Sequence, residues 1–214
     1  MIKANLDDLQ KLKKLCPKDH LIIATSTYSG FKDILGILAT FLANVIQKIF
    51  NPKYNNWKKY IAHMFMIYYK NNELWIGEMD FKDHWKENLI INSNSFQKLK
   101  NGEIRIFDLG EIPENEFTDF VSYAKGVKYP FWGALSSYIL FGIFKIFRTK
   151  KSFKEKRYCS EIFVRYQPFF KYFKTTGKQL LRKYKTHHPE AIDYYLCKNF
   201  NLKILKVKKG KLCI

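Results

Sequence analysis

Apolar and polar positions alternate along the chain in blocks that change period. Leucines at helical spacing predict a first helix over Leu6–Leu15, and the Cys16-Pro17 step ends it, because the residue before a proline is pushed out of the α region. Residues 20–25 (HLIIAT) form a short apolar run with the character of a buried strand. A turn-like stretch follows at 26–30, then a long apolar helix at 32–50, stopped by Asn51-Pro52.

Residues 61–80 (IAHMFMIYYKNNELWIGEMD) divide into two β-rich runs around Asn71-Asn72. Asparagine tolerates positive φ, so a tight two-residue hairpin turn is expected there. With that turn Lys70 faces Glu73, Ile67 faces Ile76, Phe65 faces Glu78 and His63 faces Asp80. Side chains alternate along a strand, so His63, Phe65 and Ile67 share a face with Ile76, Glu78 and Asp80. A histidine and two carboxylates converge on one side of one hairpin.

Beyond the hairpin, residues 103–109 (EIRIFDL) read as a strand and 114–124 as a helix entered through Pro113. Tyr129-Pro130 precedes a second apolar helix at 131–147, and a basic loop, RTKKSFKEK, leads into YCSEIFVRY. There Ile162, Phe163 and Tyr166 fall at helical spacing, which puts Cys159 at or near a helix start. A short helix at 189–196 and a strand at 202–207 complete the chain. With no internal repeat and no Gly/Ser linker, the expectation is one α+β domain over 1–214, with an N-terminal helix and two apolar helical insertions at about 32–50 and 131–147.

Composition changes this picture in two ways. Hydrophobic residues make up 47% of the 214 and aromatics 17%, enough for a real core. Lys and Arg number 38 against 19 Asp and Glu, a formal charge of +19 that would attract an anionic polymer or a membrane surface. No zinc-finger spacing, aromatic RNA-binding motif or isolated basic arm accompanies the charge, so no specific nucleic-acid motif is present. Lys, Asn, Ile, Tyr and Phe are all abundant, as a nucleotide-level bias would also make them.

The four cysteines, Cys16, Cys159, Cys197 and Cys213, are far apart, with no CxxC pair and no Cys/His cluster at zinc spacing. Neither a disulfide framework nor a metal or other cofactor is expected. The first residues are charged throughout and lack the features of a secretory signal. The two apolar segments fall short of the roughly 20 residues that cross a bilayer and carry Lys near their ends, so buried or interfacial helices are expected. Together these features predict a reducing setting, cytoplasmic or virion-associated, or delivery by another route.

The chemistry falls on Cys159. A helix N-terminus and nearby cations favour a thiolate, and Lys154, Lys156 and Arg157 closely precede it. The N–H groups at the helix start, that of Ser160 included, are oxyanion donors in prospect. A base is available in His63, which Glu78 or Asp80 would orient. His20, His84 and the His187-His188 pair lack ligand-like partners in sequence and read as structural or surface residues.

PKDHLIIAT, the histidine strand YIAHMFMIYY, the acid-bearing strand LWIGEMD, then GVKY and finally YCSEIFVRY resemble, in that order, the circularly permuted NlpC/p60 papain-like hydrolases. That group includes the YiiX/YaeF-like amidases and, more remotely, the lecithin retinol acyltransferase-like enzymes. It places the histidine and third polar residue before the cysteine, the order found here. Lys18 stands where the group usually has glycine, and the insertion at 131–147 is long.

The resemblance covers roughly 17–200 and implies a small antiparallel sheet or half-barrel packed against helices. It further implies a cysteine hydrolase or acyltransferase acting on an amide, ester or thioester. Cys159 would be the nucleophile, His63 the base and Glu78 the orienting residue; Tyr129 and Tyr158 would lie near the site. The substrate would be a peptide, peptidoglycan or lipid. The alternative is a catalytically inactive basic protein on the same fold, binding nucleic acid, a polyanion or a membrane surface, such as a virion component.

Overall fold

The structure is a computed structural model. It describes residues 6–27, 61–79, 84–92, 102–128, 159–184, 189–208 and 211–213. The apolar segments at 32–50 and 131–147, the basic loop before Cys159, and Asp80, Tyr129, Tyr158, His187 and His188 lie outside the described residues.

Among the described residues seven strands make one antiparallel sheet: β1 (His20–Thr27), β2 (Ile61–Lys70), β3 (Glu73–Met79), β4 (Trp85–Leu89), β5 (Gly102–Glu111), β6 (Leu202–Lys208) and β7 (Lys211–Cys213), in the order β4-β3-β2-β1-β5-β6-β7. Among the described residues six α-helices accompany it: α1 (Leu6–Leu15), α2 (Glu114–Lys125), α3 (Glu161–Arg165), α4 (Phe170–Phe173), α5 (Gly177–Tyr184) and α6 (Pro189–Asn199). The protein is therefore α+β, with helices on both faces of the sheet.

The central strand shows why. Ile22 and Ala24 of β1 point to one face, joining Phe65, Ile67, Ile76 and Ile106 under Leu12 and Cys16 of the α1 region. Leu21 and Ile23 point to the other, where Met64, Met66, Phe107 and Trp85 meet Phe120, Phe163, Phe169 and Leu196. A strand covered on both faces is apolar without a gap, which is how HLIIAT reads.

The hairpin forms in the expected register, with Lys70 opposite Glu73, Ile67 opposite Ile76 and Met66 opposite Gly77. Asn71 and Asn72 both take positive φ, 54° and 60°, as the mirror-image turn requires. At the other end of β2 the regular pairing with β1 stops. Ser26 faces His63, but Thr27 faces Ile61, leaving Ala62 as the extra residue of a bulge. Ser26 and Thr27, expected to begin a turn, instead continue β1, because both find partners on β2.

Candidate active site

His63 stands beside that bulge, where a strand bends and its twist increases. Glu78 comes from β3, one strand over, and the register that pairs Met66 with Gly77 carries it to the same end of the sheet. Its Oε2 lies 2.9 Å from His63 Nε2, and both residues are 5% exposed. Phe65 packs against the imidazole at 5.9 Å between ring centres and limits its tilt.

The third member arrives on α3. Ser160 is the N-cap, so Cys159 precedes the first helical turn, as its sequence setting predicts. The helix is anchored by Phe163, which stacks on Phe120 at 5.5 Å and meets the edge of Trp85 at 6.1 Å. Trp85 in turn packs its indole closely against Gly77. A Cβ at 77 would fall 2.2 Å from its ring, so only glycine lets the indole approach β3 so closely. Gly77, Trp85 and Phe163 thus set the separation between the strand carrying Glu78 and the helix following Cys159.

Cys159 is 6% exposed and is a free thiol, and its side chain lies near enough to His63 to raise the proton affinity of that ring. Since Nε2 faces Glu78, Nδ1 is the ring nitrogen left for sulfur. Burial by itself would lower the His63 pKa, but hydrogen bonds and charge from Cys159 and Glu78 outweigh it and push it up to about 10. The imidazole therefore carries its second proton at neutral pH. A cation is held between the Glu78 carboxylate and the Cys159 sulfur in a site nearly closed to water.

Cys159, His63 and Glu78, separated by up to 96 positions in the sequence, are brought together. Other singled-out residues are not. His84 is exposed. His20 Nδ1 sits 2.8 Å from Asp108 Oδ1 at the opposite end of β1, half-buried, near an open cleft of about 710 Å³ lined by Lys18, Asp19, Glu111 and Tyr172 among others. Among the described residues no group of three His, Cys, Asp or Glu is placed to hold a metal ion.

A second buried polar cluster escapes sequence reading. Arg105 on β5 gives Nε and Nη2 to Glu103 Oε1 at 2.9 and 2.7 Å, and Nη1 to Asp193 Oδ2 at 2.6 Å. Asp193, on α6, also accepts from Thr25 of β1 at 2.5 Å. Burial pushes the Asp193 carboxyl pKa up against the pull of Arg105 and Thr25. The available signal was Glu103 and Arg105 sharing one face of a strand otherwise apolar, while their partner lies 88 positions away.

No family model, curated protein or solved structure matches the chain.

Proposed function

We propose that the protein is a cysteine hydrolase or acyltransferase of the permuted papain-like type, acting on an amide, ester or thioester of a peptide, peptidoglycan or lipid. One observation carries this reading: the buried His63 ring is hydrogen-bonded to the Glu78 carboxylate and has the Cys159 side chain near enough to raise its proton affinity. Nucleophile, base and orienting acid then stand in the relation that covalent catalysis needs.

In the first half-reaction the Cys159 proton resides on His63, and sulfur adds to the substrate carbonyl carbon. The oxygen becomes an oxyanion, for which the N–H groups at the start of α3, Ser160 among them, are the nearest donors in sequence. Collapse breaks the bond to the leaving group, which takes the proton from His63, and leaves a thioester on Cys159. In the second half His63 takes a proton from water or from an acceptor alcohol or amine. The resulting nucleophile attacks the thioester, releasing the acyl product and returning sulfur to its starting state. Glu78 keeps Nε2 occupied, so that the proton moves through Nδ1.

Among the described residues Cys16, Cys159 and Cys197 are free thiols, which fits a reducing setting such as cytoplasm or virion interior. Among the described residues no helix is long and apolar enough to cross a membrane. The alternative, an inactive polyanion-binding protein, has the charge of +19 in its favour. It predicts an unreactive Cys159.

The deciding test is alkylation by iodoacetamide between pH 5 and 9, followed by mass spectrometry with Cys16 and Cys197 as internal references. Cys159 is expected to react selectively at pH 6, and His63→Ala to slow it by about 10²-fold, because an ordinary thiol with pKa near 8.5 is scarcely ionised there. Equal behaviour of Cys159 and the reference cysteines, or indifference to His63→Ala, would rule the reading out.

A further inference from the structure

Residues 162–189 contain no Asp or Glu but seven Lys or Arg. Two of these cations are neutralised in place, Arg165 by Glu161 and Lys171 by Glu116, each at 2.6 Å. Lys174, Lys178, Arg182 and Lys183 are exposed, on α5 and the turn that leads into it.

A capping box fixes the start of α5: Thr176 N–H donates to Gln179 Oε1 at 2.8 Å and Gln179 N–H to Thr176 Oγ1 at 3.1 Å. One side of the helix is committed to the core. Leu180 is 1% exposed, and Gly177 lies so close to α3 that a Cβ there would come 2.4 Å from the Val164 carbonyl oxygen. On the other side Lys178, Leu181 and Arg182 fall at i, i+3 and i+4, and so form one outward face. Leu181 is 39% exposed, one of three large hydrophobics so exposed among the described residues.

We infer that the outer face of α5 docks the protein on an anionic lipid bilayer. A leucine bordered by cations is the pattern of an interfacial helix, whose apolar residue enters the acyl boundary while its cations meet the headgroups. A nucleic acid would engage the cations but leave the leucine in water. Since α5 backs directly onto α3, docking there brings the helix that follows Cys159 next to the surface. The binding itself is independent of the catalytic reading, and Cys159→Ala retains it.

Co-sedimentation with vesicles of phosphatidylcholine and phosphatidylserine at 4:1 tests the inference, with pure phosphatidylcholine vesicles and a labelled DNA duplex as separate arms. The parent is expected to bind the anionic vesicles selectively. K178E/R182E should weaken binding by more than about thirtyfold, from about fivefold per cation lost. Leu181→Ser should weaken it severalfold with charge unchanged. K11E/K14E makes the same charge change on exposed positions of α1, on the other face of the sheet, and should cost far less. Equal loss in the two double variants, indifference to Leu181→Ser, or binding to DNA without binding to vesicles would overturn the proposal. Circular dichroism of each variant confirms that a loss is not unfolding.

Discussion

The His63–Glu78–Cys159 cluster and the Thr25–Glu103–Arg105–Asp193 cluster are comparably buried, and each joins strands of the sheet to a helix packed on it. Burial alone therefore does not mark a site for chemistry. In the second cluster a guanidinium, which stays protonated throughout the working pH range, is matched to two carboxylates; the thiol beside it, Cys197, donates to Asp193 at 3.8 Å, has its pKa pushed up to about 12 chiefly by burial, and has no imidazole to take its proton. In the first, a titratable ring stands between an acid and a sulfur, and its proton has somewhere to go. One cluster ties α6 to the sheet; the other is equipped to move a proton.

The sharpest way to break this comparison is Arg105→Met, which leaves Glu103 and Asp193 buried without their cation. Removing one partner of a buried ion pair costs about 3–5 kcal/mol. A large fall in the urea midpoint is expected, while Cys159 alkylation in the folded fraction keeps its pH profile. If alkylation shifted as much as stability, the two clusters would form one functional unit and the division drawn between them would be wrong.

The two clusters also differ in how far they can be read from the chain. The hairpin was legible because Asn71-Asn72 fixes its turn, and the turn fixes the register that aligns β2 with β3. Helix α1 was legible from leucine spacing and the Pro17 stop. The short strand β4 (WKENL) was not, since four of its five residues are only partly buried and it lacks a clean alternation. Nor was α5, although its capping pair, Thr176 and Gln179, is a usable signal. The order His63, Glu78, Cys159 came from family resemblance, but the contact between β2 and α3 depends on how Trp85 rests on Gly77. The Arg105–Asp193 pairing depends on α6 folding back over the sheet, where it packs on β2, which no local pattern encodes.

A smaller change sharpens the first cluster from within. Glu78→Gln keeps the shape beside His63 but removes the charge that helps hold its proton. His63 in this variant is expected to lose its second proton at lower pH than in the parent, so the alkaline part of the Cys159 alkylation profile should move toward lower pH, each tenfold of proton affinity lost corresponding to about one pH unit. Stability should respond with a definite sign. The folded state holds the His63 proton up to about 10, against 6.5 in the unfolded chain. The resulting stabilisation is complete below pH 6.5 and is lost as pH rises through 10. Urea midpoints of the parent should therefore fall over that range more steeply than those of Glu78→Gln. Parallel declines would show that Glu78 does not help retain the proton.

The smallest expected effect belongs to a pair that looks the same on distance alone. His20 and Asp108 stand 2.8 Å apart, against 2.9 Å for His63 and Glu78. Their side chains are 24% exposed and Asp108 also accepts from the Gly110 N–H, so the carboxylate keeps a partner when the imidazole is removed. A partly exposed contact between an imidazole and a carboxylate contributes about 0–1 kcal/mol. His20→Ala should accordingly shift the urea midpoint only slightly and leave the alkylation profile of Cys159 untouched. A loss of Cys159 reactivity in this variant, transmitted along β1 from His20 to the Ser26–His63 pair, would mean that the bulge beside His63 is set by the far end of the strand. An unchanged profile leaves the thiol as the feature that separates two otherwise similar histidine–carboxylate pairs.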